Sequence, residues 1–495
     1  MRSNRHQNKE ISKNNTGFKR FTRFWAILYL LSAAALFGVL IYADVLTFKY
    51  LCIAGGILLA TVLLFFPALF FRNFKKSRKI ISLILTTVLI AVYGVGIAYM
   101  NGTLDFFDKI TAKKMQTEPF YVLAQANNED YGENESALQG KTVQTYMTTE
   151  RNYSEAKNLL SEDKKTEYGL SEELEELAAG LSDGTFETIL VSDAHYTTMC
   201  SEISGFKEGS KIIYTVKVPV ESRDIAKAVD VTKDSFNIYV SGLDTEGSID
   251  VISRSDVNMI VTVNPKAHKV LLTSIPRDYY IELPGVGARD KLTHTGNHGI
   301  EETVAAAEKL TGLDINYYVK VNYTTVTELV NAIGGIEVTS DYTFVTHGMG
   351  VYYEFYEGVN QLDGSRALAF ARERKSFSDG DFQRNKNQQL VLEGILKKAM
   401  SSTTILTKYT DILDAVENCV EINMSQKDIK KLIKMQLDGM PSWDIKKQSI
   451  IGGIGNEACY MDGLNLYASA VIPDEESVIK AVDKIVAVME AEEEK

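Results

Sequence analysis

Three apolar runs open the chain, at 24–46, 50–71 and 80–100. Each has about the ~20 residues that a helix needs to cross a bilayer. Only a few residues near 47–49 separate the first two, which predicts a helical hairpin with Asp44 at its turn. Beyond residue 100 the apolar runs shorten and begin to alternate. Period-2 stretches predict strands at 119–124, 142–148, 189–192 and 211–219, and period-3.6 stretches predict helices at 154–160 and 171–181. In the second helix Leu170, Leu174, Leu177 and Leu181 share one face, with Ser171 as the expected N-cap. A polar stretch at 221–235 reads as a linker. After it, strands at 236–241, 257–263, 269–274, 316–321 and 336–339 alternate with helices at 300–311 and 323–333. Gly334 and Gly335 supply the positive-φ stop of the second helix. Strands alternating with helices predict an α/β domain built on a layered sheet. The division is therefore 1–23 N-terminus, 24–100 three transmembrane helices, 101–220 accessory α/β domain, 221–235 linker, 236–485 main α/β domain and 486–495 acidic tail.

Charge gives this anchor an orientation. Residues 1–100 carry thirteen Lys and Arg against Glu10 and Asp44, a local +11 in a chain whose net charge is −12, so the remainder carries −23. Lys19, Arg20 and Arg23 precede the first run; Arg72, Lys75, Lys76, Arg78 and Lys79 fill the loop between the second and third. The positive-inside rule puts the N-terminus and that loop in the cytoplasm, and everything after Met100, about four fifths of the chain, outside. A cleaved signal peptide does not fit, because the apolar runs are long and repeated and no small-residue cleavage site follows the first. An acidic remainder also argues against wrapping nucleic acid, which needs a basic face. Four cysteines (Cys52, Cys200, Cys419, Cys459) make no disulfide framework, although a Cys419–Cys459 bridge is compatible with the sequence.

Arginine is the informative residue. Residues 101–495 contain nine; three fall in 254–289 (Arg254, Arg277, Arg289) and four in 366–384 (Arg366, Arg372, Arg374, Arg384). Lysine is the common cation here, and the planar guanidinium fork matches phosphate or carboxylate in a way that an ammonium does not. Asp244 follows one predicted strand, and Arg254 and Asp256 enter the next. Extended backbone would put Arg254 and Asp256 on one face, and Asp244 and Asp256 on adjoining strand ends could share a Mg²⁺. Alone, Asp256 could equally pair with Arg254 on the surface. Pro276 aims Arg277 from the end of the strand that closes at Ser274, where α/β folds usually place ligands. Arg372 and Arg374, at i and i+2, would project together from a short strand. Asp381 would N-cap a helix running to about Met400, with Arg384 and Gln388 on one face near its anion-favouring N-terminus. His294 and His298 lie in a Gly-bounded loop without a third ligand and read as polar turn residues rather than a zinc site. Residues 452–456, Gly-Gly-Ile-Gly-Asn, read as a turn rather than a phosphate loop. No thiol nucleophile, Gly-x-Ser-x-Gly elbow, P-loop or dinucleotide fingerprint is present.

In order, Arg254-Ser255-Asp256, Ser274-Ile275-Pro276-Arg277-Asp278, Gly334-Gly335-Ile336-Glu337-Val338, Ala371-Arg372-Glu373-Arg374-Lys375, and Gly380-Asp381 with Arg384 and Gln388 resemble the motifs of the LytR–CpsA–Psr family of Gram-positive envelope proteins. The similarity runs over about 236–400, and the three-helix anchor with an accessory domain is similar to the streptococcal capsule-biosynthesis members. The resemblance implies a layered α-β-α catalytic domain and a membrane phosphotransferase. It would move a polyprenyl-pyrophosphate-linked glycopolymer, here a capsular polysaccharide, to peptidoglycan, with capsule-assembly proteins as candidate partners. It further implies Mg²⁺ or Mn²⁺ on Asp244 and Asp256, and a pyrophosphate clamp of Arg254, Arg277, Arg372, Arg374 and Arg384 supported by Gln388. Asp256, Arg277 and Arg384 would be the catalytic group. Asn331 departs from the acid common at that place in the family. Two other functions fit the same features: a polyprenyl-pyrophosphate hydrolase, with water as acceptor, and a non-enzymatic membrane regulator of capsule synthesis.

Overall fold

The computed structural model describes residues 2–71, 73–111, 116–131, 138–147, 152–220, 223–347, 351–401, 411, 412, 415, 417, 419–461 and 466–492. Arg72 of the basic loop, residues 221 and 222 of the expected linker and 493–495 of the acidic tail lie outside them. The chain divides into two compact units. One is residues 1–109 with 425–441; the other is residues 110–424 with 442–495.

The first unit begins with α1 (Arg2–Ala43), α2 (Phe48–Phe70) and α3 (Lys76–Thr111). Their stretches Gly17–Ala43, Phe48–Phe70 and Lys76–Asp105 are long and apolar enough to cross a membrane, with mean hydropathies of 2.3, 2.4 and 2.4. Tyr29, Ala33, Leu58 and Tyr93 form the seam between the helices. The hydroxyls that such a seam would bury satisfy one another: Thr61 Oγ1 lies 3.0 Å from the Tyr93 hydroxyl, which lies 3.4 Å from that of Tyr29.

The second unit starts with a five-stranded sheet in the order β3-β2-β4-β1-β5, from β1 (Gln116–Gln125), β2 (Thr142–Tyr146), β3 (Glu167–Ser171), β4 (Thr188–Ser192) and β5 (Ser210–Val220). Helices α4 (Tyr153–Lys164), α5 (Leu174–Asp183), α6 (Asp193–Glu202) and the single turn α7 (Phe206–Gly209) connect these strands. Alternation along β1 sends Phe120, Val122 and Ala124 toward Tyr153, Ala156 and Leu160 of α4, and Leu123 toward Leu174, Leu177 and Leu181 of α5. The expected Ser171 cap is not used. Ser171 closes β3 instead, and α5 starts at Leu174.

A six-stranded sheet follows, from β6 (Phe236–Leu243), β7 (Ser255–Asn264) and β8 (Lys269–Ser274). Next come the hairpin β9 (Tyr280–Leu283) and β10 (Ala288–Lys291), a 3₁₀ stretch Leu292–His298, α8 (Ile300–Thr311), β11 (Tyr317–Val321) and α9 (Tyr323–Ala332). β12 (Ile336–Ser340), β13 (Phe344–Val345), β14 (Glu354–Phe355), β15 (Gly358–Leu362), α10 (Gly364–Arg372) and α11 (Asp381–Ala399) build one flank. The chain then runs through β16 (Val420–Ile422), α12 (Gln426–Gly439), β17 (Asp444–Ser449), β18 (Gly452–Cys459), β19 (Leu466–Pro473) and α13 (Glu475–Met489). The sheet order is β16-β11-β6-β7-β8-β17. One face packs Tyr239, Ile260 and Leu271 on α8 and α13 through Val304, Ala307 and Ile485. The other packs Met259, Val261 and Leu272 on Leu392 and Leu396 of α11. The layering is thus α-β-α, with three helices N-terminal to it.

Two expectations change. The accessory sheet keeps its own core on the α4 side, but on its other side Cys459, Met461, Ala468 and Ala470 of the β18–β19 hairpin share a buried cluster with Leu123, Leu177 and Met199. Residues 452–456 lie in β18 rather than a turn. All four cysteines are free thiols, Cys419 and Cys459 included.

Candidate active site

β6 and β7 run antiparallel, with a register shift at Gly242/Leu243 that pairs Leu243 with Ser255. Asp244 follows Leu243 out of β6 and Asp256 follows Ser255 into β7, so the two lie diagonally across the pair at one end of the sheet. Gly242 is required there, because a Cβ would meet the Cβ of Val257 at 2.6 Å. The two acids open into a cavity of about 290 Å³ that Arg277, Arg372, Arg374, Arg384 and Gln388 also line. β8 delivers Arg277 three residues past Ser274. The N-terminal half of α11 delivers Arg384 and Gln388 from one helical face.

Carboxylates hold the arginines in place. Arg277 Nη1 donates to Asp256 Oδ2 at 2.8 Å, and Thr293 Oγ1 donates to Asp256 Oδ1 at 3.0 Å. Asp381 sits among three guanidiniums: Arg384 Nη2 at 3.3 Å, Arg277 Nε at 3.5 Å and Arg374 Nη1 at 3.7 Å. These are ion-pair distances without hydrogen-bond alignment. Arg277 Nε and Arg384 Nε and Nη2 are buried without a hydrogen-bond partner among the described residues. Buried donors of this kind are costly unless something accepts from them. A ligand rich in anionic oxygen atoms would supply the missing acceptors.

Proton affinities follow the same arrangement. Burial raises the Asp256 carboxyl, but Arg277 and Arg384, with the hydrogen bonds from Thr293 and Arg277, outweigh it and hold it below the ordinary 3.8. Burial depresses the Arg384 guanidinium, and the facing Arg277 adds to that more than Asp381 offsets. Arg277 is disfavoured by burial yet raised overall by Asp256, Asp278 and Asp381. Because Asp256 titrates below its unfolded value, its contribution to stability is complete above pH 3.8 and is lost as pH falls through the folded pKa. Asp256→Asn should therefore flatten the acid limb of the thermal midpoint of the full chain in detergent, scanned from about pH 5 to 2. An unchanged slope would remove this assignment.

Several placements differ from the sequence expectations. Arg254 is not in the cavity. β7 begins at Ser255, so strand alternation does not extend back to Arg254, whose Nη2 donates to Thr198 Oγ1 on α6 at 3.2 Å. Arg372 and Arg374 do not sit on a strand; the alanine-rich segment forms α10, with Asp363 capping its start, and Arg372 is its last residue. Both still reach the cavity. Asp381 is the first residue of α11 and caps nothing; Gly380, at φ 45°, holds the N-cap position. His294 pairs with Asp290 at 2.8 Å, and both are buried inside the fold.

Tyr323, Thr293 and the bridging role of Asp381 were not read from the sequence. Tyr323 opens α9 after β11. Parallel pairing of β11 with β6 sets Val321 beside Gly242, which brings Tyr323 to Asp244. Its hydroxyl donates to Asp244 Oδ1, and Arg372 stacks on its ring with 4.0 Å to the centroid. Burial and Asp244 together raise the Tyr323 phenol, so it stays a donor at neutral pH.

The described residues contain no group of three or more His, Cys, Asp or Glu side chains arranged for a metal. The donor set nevertheless fits Mg²⁺, which takes one or two protein carboxylates and completes its shell with phosphate oxygens and water. Asp244 is half exposed to the cavity. Asp256 uses one lone pair on each oxygen and keeps the others.

The LytR_cpsA_psr family model matches residues 199–473. The chain belongs to this family. The match begins inside α6, well before the main sheet. Two relatives are named polyisoprenyl-teichoic acid–peptidoglycan teichoic acid transferase TagU. The one from Enterococcus faecalis is 35% identical over 226 residues, 45% of this chain and 72% of its own. The one from Bacillus cereus is 37% identical over 243 residues, 49% of this chain and 75% of its own. The crystal structure of B. subtilis TagU is 29% identical, covering 53% of this chain and all of that one at a TM-score of 0.41.

Proposed function

We propose that this chain is a glycopolymer–peptidoglycan phosphotransferase, and that its donor is a capsular polysaccharide carried on a polyprenyl diphosphate. The single observation that carries the reading is four arginines and two aspartates converging on one cavity, with buried guanidinium nitrogens of Arg277 and Arg384 that lack a hydrogen-bond partner among the described residues. The teichoic acid transferases among its relatives support the reaction class. A Gram-positive cell membrane is the proposed location, with the N-terminus cytoplasmic and the part after α3 outside, on the strength of the basic loops.

The acceptor, a muramic acid 6-hydroxyl, attacks the glycan-bound phosphorus. The bond from that phosphorus to the bridging oxygen breaks, polyprenyl monophosphate leaves with the electron pair, and the hydroxyl proton is released. Positioning and charge neutralisation account for most of the catalysis in such a transfer. Arg277, Arg384 and Arg374, gathered around Asp381, would face the diphosphate oxygens, with Arg372 on the Tyr323 ring beside Asp244. Asp256 is a weak base, because its pKa is depressed and both its oxygens accept hydrogen bonds. Mg²⁺ or Mn²⁺ held by Asp244 and Asp256 would supply Lewis-acid neutralisation of the diphosphate. The lipid tail has a candidate wall between the sheet and α11, where Ile238, Val240, Leu392, Leu396 and Trp443 are only partly buried.

The test is product analysis with purified full chain, lipid-linked polysaccharide and peptidoglycan. Muramidase digestion should release a polymer joined to muramic acid through a phosphodiester. Free phosphorylated polymer with lipid monophosphate would identify a hydrolase instead, and no turnover of the lipid-linked donor would overturn both.

A further inference from the structure

One charged element stands apart from this site. Helix α12 belongs to the unit of α1–α3 rather than to the sheet unit on either side of it in the chain. At 3.6 residues per turn its lysines, Lys427, Lys430, Lys431 and Lys434, fall within an arc of about 100°. Ile429, Leu432 and Ile433 occupy the opposite side, while Leu437 lies at the edge of the lysine arc and Asp438 within it. A basic stripe is unusual on a protein of net charge −12.

Its contacts fix its depth. Lys434 Nζ meets Asp44 Oδ1 at 2.5 Å, the Tyr50 hydroxyl donates to the Leu437 carbonyl at 3.4 Å, and Lys430 Nζ lies 5.3 Å from the centroid of the Phe107 ring. Asp44 is one residue past the apolar stretch Gly17–Ala43, Tyr50 is near the start of Phe48–Phe70, and Phe107 is two residues past Lys76–Asp105. All three contacts are at the same end of the bundle. Each is within about 3 Å, two helical rises, of where hydrocarbon would begin or end. The headgroup layer occupies the next ~5–8 Å. Lys434 and Lys431 have carboxylate partners in Asp44 and Asp428. Among the described residues Lys427, which is exposed, and Lys430 have none.

We propose that α12 is an interfacial helix lying in the headgroup layer, where Lys427 and Lys430 bind the phosphates of anionic phospholipids. The inference rests on α1–α3 spanning a membrane and is independent of the transferase reading. Its chemistry is that of juxtamembrane lysines, each of which adds about fivefold to the affinity for an anionic surface.

The test uses the full chain in mixed micelles titrated with labelled phosphatidylglycerol or phosphatidylcholine. The wild-type chain should prefer phosphatidylglycerol, and about 0.5 M NaCl should erase much of that preference. Lys427→Gln with Lys430→Gln should weaken phosphatidylglycerol binding by roughly 10–25-fold, while Lys446→Gln with Lys480→Gln, two exposed lysines elsewhere, should leave it unchanged. Equal binding of the two lipids by the wild-type chain would overturn the proposal, as would equal losses in the two double variants. Glycopolymer transfer is not the readout, so failure here leaves that reaction untouched.

Discussion

Replacing Arg277 by alanine is expected to lower glycopolymer transfer about 10²–10³-fold, mainly in kcat. Its guanidinium touches Asp256 and lies within ion-pair distance of Asp278 and Asp381, and its Nε has no hydrogen-bond acceptor among the described residues. Charge accumulates on the leaving phosphate as the bridging bond stretches, so a donor fixed at that place stabilises the transition state more than the bound substrate. Arg277→Lys keeps the charge but loses the planar fork, and should fall between the wild type and alanine. Removing Arg277 also leaves the Asp256 carboxylate with only Thr293, which should cost about 1–3 kcal/mol of stability. Rates are therefore compared below the thermal midpoint of each variant. Transfer at wild-type speed by a folded Arg277→Ala chain would mean that the cavity does not act on the diphosphate.

The sequence predicted elements best where one period dominated. The apolar runs of α1–α3, the alternation in β6–β8 and the stripes of α8 and α9 each have a single interpretation. The segment from Ala367 to Lys375 did not: Arg372 and Arg374 looked like a strand pair, whereas Asp363 and four residues of high helix propensity, Ala367, Leu368, Ala369 and Ala371, favour α10. The arginine cluster was visible because guanidinium is rare in this chain. Arg254 was misplaced because strand alternation says nothing about a residue one position outside the strand. Tyr323 and Thr293 were hidden for another reason. Neither residue type announces a site, and each reaches an aspartate only through tertiary structure, Tyr323 through the parallel β6–β11 pairing and Thr293 through the 3₁₀ stretch after β10. Helix α12 was not read from the sequence, and its partners lie 320 or more residues earlier in the chain.

Replacing Glu421 by alanine is expected to remove about 3–5 kcal/mol of stability. Glu421 on β16 lies beside Lys320 on β11, at 3.5 Å, and both side chains are less than a tenth exposed. Burial pulls the Lys320 ammonium below its ordinary range despite the carboxylate next to it, so the pair is already expensive to hold charged. Glu421 also accepts from the Tyr318 hydroxyl at 2.8 Å and from Gln116 Nε2 at 3.2 Å, which ties β1 of the five-stranded sheet to the edge of the six-stranded one. Without Glu421 the Lys320 ammonium has lost its carboxylate, and two further donors lose an acceptor. Lys320→Met should cost less, because Tyr318 and Gln116 still serve the remaining carboxylate. Combining Lys320→Met with Glu421→Gln should recover much of the loss, since an uncharged pair of similar volume avoids desolvation. With Glu421→Gln alone as the remaining corner, the double-mutant cycle is read from thermal or denaturant midpoints of the full chain. A loss below about 1 kcal/mol for Glu421→Ala would put the pair in the range of exposed ion pairs and show that water reaches this corner of the fold.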